Sequence, residues 1–347
     1  MATFNRLDPS DFVVSSDAIS ATLWSTQTPT LTTFFTSSTQ EAGSSGDFYL
    51  TVYQTASTLA NAEPQFEIAY GNALGSGSLV YNSAINGLSP TTTIFGQYQD
   101  LVLGDENSNF TFGAITSSEF YAISFQRARY KQALLLGSLT LTIKGPIAAS
   151  GSITLTDNSA YVSTTTFTEA GRVYQLISGS SGTANTSRQA NGYTVDSGSY
   201  GWLLPDIGTI LINPKALAAP TSSGGIGFVY SGSASGLGAP VVSPMTTLYQ
   251  AISASANFQI NSQETVTSDF IFIRARSSEF NYSENPSFIS GSTGEVLYNQ
   301  FINNPQTYIT TVGMYNDNNE LLAVAKLSRP LPKDFTSEAL IRVKLDF

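Results

Sequence analysis

The chain has 347 residues, contains neither histidine nor cysteine, and carries 15 basic and 25 acidic side chains, a formal net charge of −10. The absence of both residue types excludes disulfides, Ser-His-Asp and Cys-His catalysis, and zinc sites of the ordinary kind. Charged residues make up 12% of the chain, about half the share found in an ordinary soluble domain. This composition is typical of a protein that packs and assembles, so we expect a structural role and no enzymatic activity.

The acidic balance argues against binding to nucleic-acid backbones, which requires clustered lysine and arginine. The amino-terminal sequence lacks a basic region followed by an apolar run, so no signal peptide is expected. No apolar stretch reaches the length of about 18 residues that a transmembrane helix needs. We therefore expect no nucleic-acid partner and no membrane partner, and synthesis in the cytoplasm.

Apolar residues alternate with polar ones in several segments, which is the period of half-buried antiparallel strands. Three segments show this alternation: Phe48, Leu50 and Val52; Leu139, Leu141 and Ile143; Ile341, Val343, Leu345 and Phe347. Clusters of Gly, Ser, Asn and Pro between such segments predict turns. The predicted fold class is mainly β, with antiparallel sheets or a β-sandwich and few short helices. The last segment further predicts an ordered, paired strand over 340–347.

Helical signals are few. Residues 17–23 could form one or two helical turns, and 125–135 are ambiguous between helix and strand. Residues 295–301 favour a short helix that ends before Pro305.

A shift in composition indicates how the chain is divided. Residues 145–260 are rich in Ser, Gly, Thr and Ala and poor in charge. We predict a main β domain built from residues 1–144 and 261–347, with 145–260 inserted as a second β domain.

Two aromatic segments, 123–129 and 270–276, end in Arg-Ala-Arg. On a strand the paired arginines would share one face. They could form a basic ridge that pairs with carboxylates of a neighbouring subunit, or they could be solvated ends of unrelated strands. For the first segment we expect Arg127, Arg129 and Lys131 to contact an acidic partner surface or an internal carboxylate network, and not nucleic acid. The interface candidates from this pattern are Arg127, Arg129, Lys131, Arg274 and Arg276.

Acidic residues cluster at 100–107, where Asp105 and Glu106 follow a glycine. The spacing does not match a calcium-binding loop, and a glycosidase pair of Asp105 and Glu119 would need a carbohydrate cleft. We interpret these residues as solvated turn carboxylates. No catalytic, cofactor-binding or metal-binding residue is predicted, and no cofactor is expected.

Trp202 lies between Gly201 and an apolar Leu-Leu-Pro segment. It is either an exposed interface anchor, because Trp and Tyr are favoured at interface hot spots, or the cap of a small core. Trp24, which follows Ile19 and Leu23, is predicted to lie in a core.

The carboxyl-terminal part contains two apolar segments joined by an Asn/Asp turn. Residues 308–317 read Tyr-Ile-Thr-Thr-Val-Gly-Met-Tyr-Asn-Asp, and 320–326 read Glu-Leu-Leu-Ala-Val-Ala-Lys. The turn residues tolerate the left-handed conformations that a hairpin requires. This phrase resembles the I-G-L-Y-D…L-I-A-V-A-K hairpin of tailed-phage fibre and baseplate proteins. Segments 120–131 and 200–210 look similar to virion structural proteins of marine and cyanobacterial contractile-tailed phages.

The resemblance implies a non-catalytic component of a bacteriophage virion, first of all a wedge subunit of the tail baseplate, because no fibrous repeat follows the hairpin. One alternative is a carbohydrate-binding or receptor-binding β protein that uses Trp202 and tyrosines. Another is a neck, connector or capsid decoration subunit. The implied partners are other virion proteins and copies of the chain itself, and the implied location is the virion tail.

The hairpin predicted over 307–327 carries bulky apolar side chains on both faces. Such a hairpin is expected to be buried on both faces. The second layer would come either from the same chain or from another subunit. Val312 and Leu322 are the candidates for that contact.

Overall fold

Contacts within the computed structural model divide the chain into two compact units. The central unit is Ile19–Glu264, and the terminal unit combines Met1–Ala18 with Thr265–Phe347. Strands account for 44% and helices for 16%, so the prediction of a mainly β chain with antiparallel sheets and few short helices is confirmed. The structure describes residues 4–36, 49–75, 91–145, 151–187, 198–229 and 244–346.

The described residues contain twenty strands and five short α-helices. The strands are β1 (Phe12–Thr22), β2 (Phe35–Thr36), β3 (Tyr49–Tyr53), β4 (Pro64–Asn72), β5 (Phe110–Phe112), β6 (Ile115–Ser117), β7 (Glu119–Ser124), β8 (Ala133–Leu134), β9 (Thr140–Lys144), β10 (Ser152–Asp157), β11 (Thr166–Thr168), β12 (Gly171–Ser180), β13 (Thr183–Ala184), β14 (Gly201–Leu204), β15 (Thr209–Ile212), β16 (Phe258–Gln259), β17 (Asn261–Ala275), β18 (Thr307–Tyr315), β19 (Leu321–Lys333) and β20 (Ala339–Asp346). The helices are α1 (Thr91–Tyr98), α2 (Arg127–Tyr130), α3 (Pro214–Ala218), α4 (Pro244–Ser253) and α5 (Asn299–Asn303), with short 3-10 turns at Pro9–Asp11 and Thr221–Ser223 and a π-helical turn at Gln99–Leu103.

Ten strands of the central unit form one antiparallel sheet that curls into a half-barrel. Their order is β16-β9-β10-β12-β14-β15-β7-β4-β3-β2, and β11 and β13 also pair with β12. The register places Ile123 of β7 between Ile68 of β4 and Ile210 of β15. Apolar side chains therefore stack across neighbouring strands on one face of the curled sheet.

The middle strands of this sheet are buried on both faces. In β7, Tyr121 and Ile123 belong to the larger apolar core, whereas Phe120 and Ala122 belong to a second core. Since successive side chains of a strand point to opposite faces, the two cores lie on opposite sides of the sheet. This explains why the middle strands are continuously apolar instead of alternating.

Short helices cover the face that carries the larger core. Helix α4 buries Met245, Leu248 and Ile252, at the spacing that places side chains on one helical face. Helix α3 begins where the Asn213 side chain accepts a hydrogen bond from the Lys215 backbone N–H, with Pro214 in the first turn. Both features favour a helix start at this point.

The observed boundaries between the two units differ from the predicted domain boundaries. Strand β9 ends at Lys144 and pairs with β10, and β15 pairs with β7. The predicted boundary at 144/145 therefore runs through one continuous sheet. The observed division falls within β1 and within β17. The Ser- and Gly-rich composition of 145–260 corresponds to strands of the half-barrel that carry few charges, such as Asp157 in β10 and Arg172 in β12.

In the terminal unit, β20 pairs with β17 from Ser268↔Asp346 to Ala275↔Ala339. Along β20, Ala339 and Val343 are buried, while the residues between them at even-numbered positions are exposed. The prediction of an ordered final strand with apolar alternation is confirmed up to Asp346, and Phe347 lies outside the described residues, as does Phe48.

Strands β18 and β19 form the predicted hairpin, with Val312 opposite Ala325 and Met314 opposite Ala323. The Asn316 side-chain oxygen accepts hydrogen bonds from the backbone N–H groups of Asn318 and Glu320. Asn319 adopts a φ of 60°. The turn is thus built by asparagines that tolerate a left-handed backbone.

The helix expected at 17–23 is wrong, because β1 continues to Thr22 and belongs to the sheet of β17 and β20. Residues 125–135 contain both alternatives, α2 followed by β8. The helix expected at 295–301 is displaced to Asn299–Asn303. Glu295 instead accepts a backbone hydrogen bond from Ser290 in a preceding turn.

Candidate assembly surface

Apolar side chains are distributed unequally between the two units. Among the described residues, 48 of the 53 buried apolar side chains lie in the central unit and five in the terminal unit. Of the 25 large apolar side chains that are exposed, 16 belong to the terminal unit. The terminal unit therefore has a small core and a large apolar surface for its size.

The hairpin carries the densest part of this surface. We call the hairpin surface the set Tyr308 (60% exposed), Tyr315 (45%), Leu321 (53%), Leu322 (67%) and Val324 (59%). Tyr315, Leu321, Leu322 and Val324 lie near the tip of the hairpin, whereas Tyr308 lies at its base opposite Pro332. Large exposed groups of apolar side chains mark interaction surfaces.

Local packing holds part of the hairpin surface in place. The Phe4 ring contacts the Tyr315 ring edge-on, with centroids 5.1 Å apart. Gly313 lies beneath Tyr315 and Leu321, and a Cβ there would stand 3.0 Å from the tyrosine ring. Glycine at this position thus leaves room for the aromatic side chain.

The two hairpin residues predicted at a contact differ in burial. Val312 is half-buried in β18, whereas Leu322 is exposed in β19. Burial of both faces, as predicted, is therefore not achieved by the residues that the structure describes. A second layer was expected either from the same chain or from another subunit. The described part of the chain leaves Leu322 67% exposed and thus supplies no second layer over it.

A second apolar group lies between β17 and β18 in the chain. The Phe288 ring stacks on Phe301 at 4.8 Å and meets Tyr282 edge-on at 5.7 Å, and Phe301 contacts Tyr298. Phe288 is buried, but Tyr282 and Tyr298 are more than half exposed. This aromatic loop cluster is a second exposed apolar part of the terminal unit.

A buried cation ties the base of the hairpin to the loop after β17. The fully buried Lys333 ammonium donates to the Ser277 carbonyl at 3.0 Å, the Asn281 side-chain oxygen at 2.9 Å and the Asp334 carbonyl at 2.8 Å. Three acceptors satisfy its three protons, which offsets the cost of removing the charge from water. Sequence reasoning missed this residue, although Lys333 continues the odd-numbered, inward-facing positions of β19.

The basic residues at 127–131 do not form a ridge. Arg127 and Arg129 lie in α2, a helical turn, so the expected strand end is wrong there. The Arg127 guanidinium donates to the Asp206 carbonyl, and Arg129 donates to the Leu23 carbonyl and to Glu63. Lys131 pairs with Glu264 at 2.7 Å. Their acceptors lie within the central unit.

The second Arg-Ala-Arg segment ends a strand, as expected. Arg274 is exposed in β17 and pairs with Glu338 at 2.7 Å. The backbone N–H of Arg276 donates to the Glu279 carboxylate at 2.9 Å, and this hydrogen bond is the main cause of the lowered pKa of Glu279. A role of Arg274 or Arg276 in subunit contacts stays a prediction.

Both tryptophans lie in cores. Trp202 is 8% exposed and contacts Phe112 and Phe110, at centroid distances of 5.1 and 5.9 Å. It therefore caps the second core and does not form an exposed anchor. Trp24 is fully buried against Phe66 and Phe258, so its predicted core position is confirmed.

The acidic residues considered as catalytic or metal-binding candidates accept hydrogen bonds from other residues of the chain. Asp105 accepts hydrogen bonds from the Ser108 hydroxyl and the Asn107 backbone, which lower its pKa in an exposed turn. Glu119 instead accepts a hydrogen bond from the Tyr70 hydroxyl. Across the described ranges, no group of three or more acidic side chains is placed to hold a metal ion.

A concave site of about 380 Å³ lies beside α1 in the central unit. Its polar lining residues are Tyr49, Glu67, Thr93, Gln97, Tyr98 and Ser124. Burial raises the pKa of the Tyr98 hydroxyl, which hydrogen-bonds to Ser124 at 3.0 Å. The lining contains one carboxylate, whereas glycoside hydrolysis ordinarily uses two.

In comparisons with protein-family models, curated proteins and solved structures, the chain matches none. Among the described helices, none has the length and apolar character needed to cross a membrane.

Proposed function

We propose that this chain is a non-catalytic structural component of a bacteriophage virion and acts as a wedge subunit of the tail baseplate. The observation that carries the proposal is the apolar surface of the terminal unit, which the described part of the chain leaves exposed. The kind of assembly is proposed from the hairpin phrase, which resembles fibre and baseplate proteins of tailed phages.

Energetics support an assembly role for the terminal unit. Full burial of one large apolar side chain contributes roughly 1.5–3 kcal/mol. The hairpin surface offers five such side chains, so a partner that covers them gains several kcal/mol before the cost of association is counted. The described part of the terminal unit buries five apolar side chains. A partner would enlarge this small core.

The chemistry of the chain supports a non-catalytic role. Histidine and cysteine are absent from all 347 residues. The concave site beside α1 has a single carboxylate, Glu67, and Trp202 is buried. The alternative of a carbohydrate-cleaving protein would therefore lack both an exposed Trp202 and a carboxylate pair at this site.

Immuno-electron microscopy tests the proposal. Antibodies raised against the purified chain would be applied to particles of the phage that encodes it, with antibody pre-absorbed on the chain as control. We expect label at the distal end of the tail. Label at the neck or head would overturn the baseplate assignment in favour of a connector or decoration subunit, and particles without label would overturn the virion assignment.

A glycan array and a reducing-end assay test the competing carbohydrate function. We expect neither binding nor release of reducing ends. Saturable binding to one glycan class would favour a receptor-binding role, and a Glu67→Gln variant would then show whether the concave site is responsible.

A further inference from the structure

The two strands of the hairpin have differently protected outer edges. Among the residues that the structure describes, β18 and β19 pair with each other and with no further strand. Each strand therefore has an outer edge whose backbone N–H and C=O groups have no strand partner. Strand β19 carries Lys326, Arg329, Pro330 and Pro332, whereas β18 has nine residues without a charge or a proline.

Charged side chains and prolines are the usual means by which proteins keep a free edge from pairing with another chain. Strand β19 has these features, and β18 has none of them. The sequence of β18, Thr-Tyr-Ile-Thr-Thr-Val-Gly-Met-Tyr, is rich in the β-branched and aromatic residues that favour strands. Its exposed positions include Tyr308, Thr310 and Thr311. The edge is thus both accessible and suited to pairing.

We propose that β18 pairs edge to edge with β18 of a second copy of the chain. The two strands run antiparallel about a two-fold axis near Thr311, giving a four-stranded sheet in the order β19-β18-β18-β19. The proposal deepens the structural role proposed above and rests on it for its purpose in an assembly.

The absence of charge favours a second copy as the partner. At a two-fold axis the same strand meets itself, with residue i of one copy facing residue j of the other and the reverse, and like charges opposite one another destabilise a strand pair. No position of β18 carries a charge that would meet itself. The pairing also places Tyr308 of one copy near Met314 and Tyr315 of the other, so exposed aromatic groups gain cross-strand neighbours.

Sedimentation equilibrium of the full chain tests the contact, using Thr310→Lys as the disrupting variant and Ser328→Lys as the matched control. Both substitutions add a lysine at an exposed hairpin position, but Ser328 lies on the edge that is already protected. We expect the wild-type chain to dimerise, Thr310→Lys to raise the dissociation constant at least about tenfold, and Ser328→Lys to leave it unchanged. Circular dichroism checks that each variant is folded.

A charge-rescue experiment identifies the partner strand. We expect Thr310→Lys and Thr310→Glu to weaken dimerisation separately and to form a heterodimer when mixed. With the axis near Thr311, the two copies of position 310 are diagonal neighbours on one face of the sheet, within reach of long charged side chains, so restoration on mixing indicates contact between the two β18 strands. In the wild-type chain, amide hydrogen exchange of residues 307–315 should slow as the protein concentration rises.

Three outcomes would overturn the proposal: a wild-type chain that stays monomeric up to the highest soluble concentration, a Thr310→Lys dimer of wild-type affinity, or equal weakening by Ser328→Lys. Hydrogen exchange on the wild-type chain decides the matter if the variants do not fold. None of these results changes where antibody labels the particle, so failure of this contact is distinguishable from failure of the virion assignment.

Discussion

The central and terminal units carry equal numbers of charged residues, although the two units differ greatly in length. Each has 20, but the central unit comprises 246 residues and the terminal unit 101. The central unit nevertheless holds most of the buried apolar side chains, and the terminal unit holds most of the exposed ones. The central unit, with the lower share of charged residues, therefore has the large internal core. The terminal unit, with the higher share, leaves apolar side chains exposed to water.

The two units obtain their stability from different sources. In the central unit, Trp24, Phe66, Phe125 and Phe258 contact one another through edge-on and tilted rings 5.2–6.5 Å apart. Apart from five buried apolar side chains, the terminal unit depends on strand pairing and on polar anchors such as Lys333. We infer that the first unit is stabilised from within and that the second gains stability from partners.

The largest expected effect comes from the central core. Phe66→Ala removes a fully buried ring and should lower the free energy of unfolding by about 3–5 kcal/mol. Leu322→Ala, on the exposed hairpin surface, should change the free energy of unfolding by less than about 0.5 kcal/mol. Urea denaturation at low protein concentration measures both. Equal destabilisation by the two variants would contradict the comparison.

An intermediate effect is expected from the buried cation of the terminal unit. Lys333→Met keeps the apolar stem but leaves three buried oxygens without their donor, which should cost about 2–3 kcal/mol. Hydrogen exchange should accelerate in β18, β19 and β20 and stay unchanged in β7 and β15. Lys326→Met, an exposed position of the same strand, is the control. Unchanged exchange in Lys333→Met would show that the anchor contributes nothing to the unit.

The smallest expected effect concerns an ion pair in the central unit. Arg172 donates from its guanidinium and its backbone N–H to the Asp206 carboxylate. Burial alone would raise the pKa of Asp206, but the hydrogen bonds and charge of Arg172 lower it below the usual value. The pair therefore stabilises the folded state above about pH 4, and this contribution is lost as the pH falls through the lowered pKa.

Asp206→Asn tests that contribution. The variant should be slightly less stable than the wild-type chain at pH 7, and the difference should shrink as the pH is lowered towards 3. Asp100→Asn, which removes an exposed carboxylate of the same unit, serves as the control. A stability difference that stays constant across this pH range would exclude the ion pair as its source.

Elements with a local pattern could be predicted from the sequence alone. Period-two alternation located β9 and β20, because the apolar side chains at alternate positions of each strand point to one face. The Asn-rich turn located the β18–β19 hairpin, because its backbone hydrogen bonds form within a few residues. The predictions of a mainly β fold and of Trp24 in a core followed from the same kind of signal.

Only the tertiary structure decided the features that depend on distant partners. The boundary of the units, the burial of Trp202 and the second core arise because β7 pairs with strands more than forty residues away in both directions. Lys333 meets its acceptors across about fifty residues of chain. The Arg127 segment forms a helical turn that ends where Lys131 adopts a positive φ. Such contacts leave no periodic trace in the sequence, because each is set by which strands become neighbours and not by the residues beside it.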